Sequence, residues 1–262
     1  MEILMDGKTI AAQVLAELKD EALKLKVTPG LAVIMVGENA ASDVYVRNKE
    51  RACEKAGFYQ KTYRLPDVTS EEEITTLIKK LGDDCNIHGI IVQLPLPKHI
   101  SEEHILNAIP IDKDVDCFHP FNIGKLLTIK KGYSPISVVP CTPAGVMELL
   151  DRYKIPLSGK NIAVVGRSNI VGKPIALMLL NRNATVTICH SKTENIAGVL
   201  KRSDVVIAAV GSPKMIRKDM IKDYSTIIDV GVNRTPEGGV CGDVDFDDVK
   251  DKVYAITPVP GG

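Results

Sequence analysis

Asn161-Ile162-Ala163-Val164-Val165-Gly166-Arg167-Ser168-Asn169-Ile170-Val171-Gly172-Lys173-Pro174 decides how this chain is read. Ile162–Val165 is a short, wholly apolar run, as expected of a strand covered on both faces of a parallel sheet. Ile175–Asn181 continues as a helix. Between them lies Gly166-x-Ser168-x-x-x-Gly172. Strand, glycine turn and helix form the context in which backbone N–H groups and a helix N-terminus meet a phosphate. Gly166 allows the tight turn, a small residue at 168 lets the backbone approach, and Gly172 lets the helix lie close. The spacing departs from G-x-G-x-x-G by a serine in the middle and one inserted residue. A turn of this kind that binds nothing is the competing reading.

Downstream the alternation repeats. Strands are expected at 184–189, 204–210, 226–230 and 253–256, with helices at 195–201 and 216–223. That is the layout of a dinucleotide-binding domain. The strand after the turn ends Cys189-His190-Ser191-Lys192, without the carboxylate that holds a ribose hydroxyl in NAD sites. A hydroxyl and a cation stand there, and Arg167 lies in the turn, so NADP is preferred to NAD. The alternative is that Lys192 and Arg167 are solvated charges.

Upstream, residues 8–26 read as an amphipathic helix, Leu31–Val36 as a buried strand, and 42–57 as a helix. Lys61–Leu65 reads as a weaker strand, Ser70 with Glu73 as a capping box, Gly89–Leu94 as a buried strand, and Ser101 as a helix start. This βαβαβα pattern predicts a second parallel α/β domain. Pro110–Pro143 is irregular and holds the junction, with Thr142-Pro143 starting a linker helix. The expected fold is α/β: two parallel-sheet, three-layer domains facing a cleft, 1–118 and 119–262, the second Rossmann-like.

The 42–57 helix carries an anomaly. Ser42 can cap its start and Gly57 suits its end. Helical spacing puts Tyr45, Lys49, Ala52, Cys53 and Ala56 on one face, so Lys49 falls within the apolar stripe. Such a lysine either snorkels or pairs, or is desolvated so that the ammonium is disfavoured. Gln93, at the end of its apolar strand, and Asp114-Val115-Asp116, in the junction, belong to the same carboxyl edge. A lysine, an amide and a carboxylate there form an acid/base and recognition set. Plainer roles stay open: Gln93 as a strand cap, Asp114 and Asp116 as turn residues, Tyr45 as core.

Composition narrows the classes. Lys+Arg and Asp+Glu balance at 33 each, Trp is absent and aromatics make up 4% of the 262 residues. A polyanion partner or a base-stacking platform is therefore not expected. The six cysteines are far apart, without C-x-x-C, so no metal site is expected and reduced thiols in a cytoplasmic protein fit best. Neither an export signal nor an apolar run of about 18 residues is visible.

These segments resemble a known family. Val36-Gly37-x-x-x-x-Ser42-x-x-Tyr45-x-x-x-Lys49, Val92-Gln93-Leu94-Pro95-Leu96-Pro97 and Lys113-Asp114-Val115-Asp116-x-Phe118-His119-Pro120 are similar to motifs of the bifunctional methylenetetrahydrofolate dehydrogenase/cyclohydrolases. So are Cys141-Thr142-Pro143, Val165–Pro174, Asp229-Val230-Gly231-Val232-Asn233-Arg234, Gly242-Asp243-Val244 and Ile256–Gly262. The resemblance implies NADP-dependent oxidation of 5,10-methylenetetrahydrofolate to the methenyl cation, then hydrolysis to 10-formyltetrahydrofolate, within one-carbon metabolism. Competing readings are a cyclohydrolase alone, an NAD-using variant, or a non-catalytic dinucleotide-binding module.

By the same resemblance, Lys49 is the acid/base group of hydrolysis and Gln93 orients it. Tyr45 stacks on folate and Asp116 hydrogen-bonds the pterin. Arg167 and Ser191 meet the 2′-phosphate, and Gly166, Ser168, Ile170, Gly172 and Val232 belong to the cofactor site. A cytoplasmic homodimer acting on tetrahydrofolate derivatives, with no metal, nucleic acid or membrane, is implied. Three departures stand out. Cys117 replaces the family's usual glycine, and Arg51 a common lysine. The family also continues past Gly261-Gly262 into a final helix that packs on the first domain.

Overall fold

A computed structural model describes residues 1–128, 138–236 and 238–262, the side chains of residues 40 and 41 excepted. The chain forms two compact units: Ala12–Lys125, and Met1–Ala11 together with Leu126–Gly262. The sequence had placed a single boundary between 118 and 119. The physical reason for the difference is a strand too short to leave a signature. β1 (Ile3–Leu4) pairs in parallel with the last strand of the chain, Ile3 opposite Ala255. Met5 is fully buried in the core of that unit.

α1 (Gly7–Ala22) begins in one unit and ends in the other, and stops short of the expected residue 26. The unit of 12–125 then runs β2 (Gly30–Val36), α2 (Ala40–Ala56), β3 (Tyr59–Leu65), α3 (Glu71–Asp83), β4 (Gly89–Val92), α4 (Glu102–Ala108) and the start of α5 (Pro120–Thr128). Its sheet is parallel with order β3-β2-β4. β2 is apolar throughout because both its faces are covered. Ala32, Ile34 and Val36 pack with Ile74, Ile78 and Leu81 of α3. Val33 and Met35 pack with Val46 of α2 and Ile91 of β4. The Ser70/Glu73 capping box starts α3. The Lys113 ammonium ends it, donating to the carbonyls of Gly82 at 2.7 Å and Asp84 at 2.9 Å.

The other unit adds α6 (Cys141–Arg152), β5 (Asn161–Val165), α7 (Gly172–Asn181), β6 (Thr185–Cys189), α8 (Ile196–Leu200), β7 (Val205–Ala208) and β8 (Thr226–Asp229). The hairpin β9 (Asn233–Arg234) and β10 (Val240–Cys241), α9 (Phe246–Val249) and β11 (Ala255–Ile256) follow. Six parallel strands run β1-β11-β8-β7-β5-β6. Three sequence expectations change here. α6 starts at Cys141 with Pro140 at the cap and no side-chain cap bond, so Thr142 lies inside it. The expected helix 216–223 is one 3-10 turn, Lys218–Met220. α5 and the hairpin were not anticipated, and 129–137 of the junction lie outside the described residues.

Candidate functional site

α2 is placed by its ends. Asn39, just before the helix, accepts the Ser42 N–H through Oδ1 at 3.1 Å, so Asn39 is the cap and Ser42 lies within the first turn. Gly57 takes φ +75°, while Phe58 N–H reaches the Cys53 carbonyl and Gly57 N–H that of Glu54. That is the Schellman C-cap. The buried stripe is Ser42, Val46, Cys53 and Ala56, and Tyr45 stands 56% exposed at its margin. Cys53 and Ala56 are buried as expected, while Val46, packed against β2 and β4, takes the place expected for Tyr45.

Lys49 is half-buried rather than sealed. Its ammonium donates to Gln93 Oε1 at 3.1 Å. Gln93 is itself fixed twice: its backbone N–H donates to the Ile34 carbonyl at 2.8 Å, and its Nε2 to the Leu94 carbonyl at 2.9 Å. The second bond uses the amide NH₂, which leaves the oxygen free to face the lysine. The Leu94–Pro95 peptide is cis. Of the readings the stripe leaves open, the structure shows a lysine that is paired and partly solvated.

The junction approaches β4 through a parallel bridge, Ile90 with Asp114. In that register Gln93 and Asp116 both lie toward the carboxyl edge of the sheet. Asp114 is 1% exposed and is a turn anchor: its carboxylate accepts N–H from Phe118 at 3.1 Å and His119 at 2.9 Å, and Nδ2–H of Asn122 at 2.8 Å. Asp116, two residues on, is half-buried. Cys117 is buried with φ +57°, a left-handed backbone that glycine adopts freely. Burial, then the neighbouring Asp114, push its thiol up to about 12. Arg51 is exposed.

In the other unit Gly166 ends β5 with φ +129°. A Cβ there would lie 2.2 Å from the Ala209 carbonyl oxygen, and one at Gly172 would lie 2.4 Å from the Gly166 carbonyl oxygen. Both glycines are therefore demanded by close backbone approach. Ser168 Oγ accepts N–H from Val171 at 3.1 Å and Gly172 at 3.3 Å, closing the turn into α7. Arg167, Ser168 and Ile170 are exposed, as are Ser191 and Lys192 after β6, and Val232 after β8. The Gly166 cradle and these cations fit a phosphorylated dinucleotide.

Two residues without an assigned role in the sequence reading prove central to this edge. Asp243 (0% exposed) accepts N–H from Val210, Gly211 and Ser212 and from Asn233 Nδ2. Asp229 (8% exposed) accepts N–H from Gly231, Asp243 and Val244. Burial pushes the Asp229 carboxyl up to about 6 against these three bonds, with the Asp243 charge a further, smaller cause. Among the described residues no group of three His, Cys, Asp or Glu could hold a metal, and no helix is long and apolar enough to cross a membrane.

Known proteins agree with this geometry. Residues 5–116 match the tetrahydrofolate dehydrogenase/cyclohydrolase catalytic domain, and 140–262 the NAD(P)-binding domain of the same family. The bifunctional protein FolD of Streptococcus thermophilus is 53% identical over 266 residues, covering 100% of this chain and 92% of that one. A crystal structure of FolD from Campylobacter jejuni superposes with TM-score 0.95 at 45% identity, over 99% of this chain and 92% of that one. The Trypanosoma brucei enzyme, solved with NADP and an inhibitor, gives 0.93 at 37%, over 99% and 91%. With both halves matched in order and at such identity, this chain belongs to the tetrahydrofolate dehydrogenase/cyclohydrolase family.

Proposed function

We propose that the chain oxidises 5,10-methylenetetrahydrofolate to the methenyl cation with NADP and hydrolyses that cation to 10-formyltetrahydrofolate, with Lys49 as the proton carrier of the second step. The observation that carries the lysine assignment is its bond to Gln93. Gln93 holds the amine at the carboxyl edge of the sheet, where ligands of such folds bind. Water adds to the cationic carbon and gives a proton to the Lys49 amine. Collapse to the formyl group breaks the bond to N5, moves the hydroxyl proton to N5 and releases the first proton to solvent. Tyr45, one turn before Lys49 on an exposed surface, is suited to stack on folate, and the Asp116 carboxylate to accept from the pterin.

NADP, when bound, takes up the hydride of the first step. Gly166, Ser168, Ile170 and Gly172 would hold its diphosphate and neighbouring groups against the start of α7. Arg167 and Ser191, with Lys192, would meet the 2′-phosphate, and Val232 would cover the far end. Family resemblance supports a cytoplasmic homodimer acting on folate and not on nucleic acid. The test is Lys49→Met. Hydrolysis should fall by about 10³-fold, within the range of general acid/base catalysis, while NADP reduction persists. Unchanged hydrolysis would sink the lysine assignment.

A further inference from the structure

The Asp229/Asp243 pair lies outside the glycine turn and the 2′-phosphate residues, yet it is the most heavily bonded polar cluster described at the carboxyl edge of the six-stranded sheet. Three consecutive backbone donors, Val210 at 2.7 Å, Gly211 at 3.0 Å and Ser212 at 2.8 Å, converge on the Asp243 carboxylate. Asn233 Nδ2 adds a fourth at 2.9 Å. Val210–Ser212 follow β7 and Asn233 follows β8, so one side chain ties the two exit loops together. Glycines admit the carboxylates. A Cβ at Gly231 would lie 2.2 Å from Asp243 Cγ, and one at Gly242 would lie 1.8 Å from Asp229 Oδ2.

The place of these loops in the strand order gives them a function. A dinucleotide spans the carboxyl edge with its diphosphate at the central turn. Here that turn follows β5, and β6, with Ser191 and Lys192, lies on one side of it. β7 and β8 lie on the other. The half of the cofactor away from the 2′-phosphate, which carries the hydride-accepting ring, must therefore meet the loops that Asp243 ties. The Ala209 carbonyl, in contact range of Gly166, joins the first of these loops to the diphosphate turn.

We infer that Asp243 is a positioning residue for hydride transfer: it fixes Val210–Ser212 and Asn233 as the rigid floor under the nicotinamide end of NADP. This rests on the dehydrogenase reading above. A carboxylate suits the position because four donors converge on it. An amide offers one accepting oxygen and would point N–H groups at N–H groups.

The experiment compares wild type with Asp243→Asn in three assays. Dehydrogenase kcat should fall about 10²-fold, the effect of a misplacement near 1 Å, while NADP affinity changes only a few-fold. Hydrolysis of the methenyl cation, measured without NADP, should stay within twofold. Without any cofactor, the amides of Val210, Gly211 and Ser212 should exchange with solvent faster than in wild type. Faster exchange with an unchanged kcat would overturn the inference, as would an equal loss of both activities. If Asp243→Asn does not fold, Asn233→Ala removes one donor at a half-buried site. It should lower kcat about threefold to tenfold, and an unchanged kcat there overturns the inference equally. Absence of NADP-dependent oxidation in wild type would instead remove the dehydrogenase reading and this inference with it.

Discussion

The two sites of this protein use opposite materials. In the unit of 12–125 the proposed chemistry falls to side chains on a helix that packs with its margin open: Tyr45 exposed, Lys49 half-buried, Gln93 reaching across to hold it. In the other unit the cofactor edge is built from backbone. Glycines at 166 and 172 bring backbone against backbone, and those at 231 and 242 make room for the buried carboxylates that hold the loops from beneath. The proposed proton carrier sits where water still reaches. A cradle for a diphosphate gains from rigidity, so its donors are fixed before the ligand arrives.

The largest effect expected from breaking this contrast is on the backbone site. Gly166→Ala puts a Cβ onto the Ala209 carbonyl and forces a φ of +129° on a residue that avoids it. Oxidation with NADP should fall by more than about 10²-fold, while hydrolysis without NADP stays near wild type. If alanine binds NADP normally, the cradle is not rigid. Next, Gln93→Ala leaves Lys49 in place and removes its anchor. Hydrolysis should drop about 10-fold to 100-fold, a misplacement effect, and kcat rather than KM should carry it. A loss confined to KM would mean that Gln93 binds folate and does not orient the lysine.

A smaller effect sharpens the contrast through pH. The Asp229 carboxyl titrates at about 6 when folded, against 3.8 as its reference value. The folded state therefore holds the proton more tightly. The stabilisation is complete below the reference value and is lost as pH rises through about 6. Between pH 5 and pH 7 that loss amounts to about 1 kcal/mol. Asp229→Asn should be free of it, so wild type and variant stability curves from urea titrations should change spacing by that amount across this interval. Parallel curves would show that Asp229 stays ionised on its three N–H bonds.

The smallest effect concerns access. Cys85 and Cys141 are exposed, whereas Cys53, Cys117 and Cys189 are buried. Alkylation at pH 8 followed by mass spectrometry should label the first two in the native protein and the other three only after denaturation. Early labelling of Cys117, whose thiol sits near 12, would mean that the Asp114–Asp116 turn opens.

The sequence was most informative where one physical demand dictates residue type. Leu31–Val36 is apolar because two helical layers cover it, and Gly166 and Gly172 are glycines because backbone touches backbone. Lys49 stood out because a charge interrupts an apolar stripe. Where several residues satisfy the same demand, the reading slipped. Asn39 and Ser42 are both good caps, and the depth at which α2 docks decides between them. Tyr45 and Val46 are neighbours on the helix, and contact with Met35 and Ile91 selects Val46. Asp243 was invisible as a clamp because its partners are backbone N–H groups, which every sequence has.

The pairing of Ile3 with Ala255 sets an order of events during synthesis. The sheet of the Lys49 unit has all its strands once Val92 has been made. The cofactor sheet keeps its first strand waiting through roughly 250 further residues, about 10–50 s at ribosomal speed. A nascent chain thus has every strand of the three-stranded sheet well before the six-stranded sheet can receive the strand that joins its first to the rest.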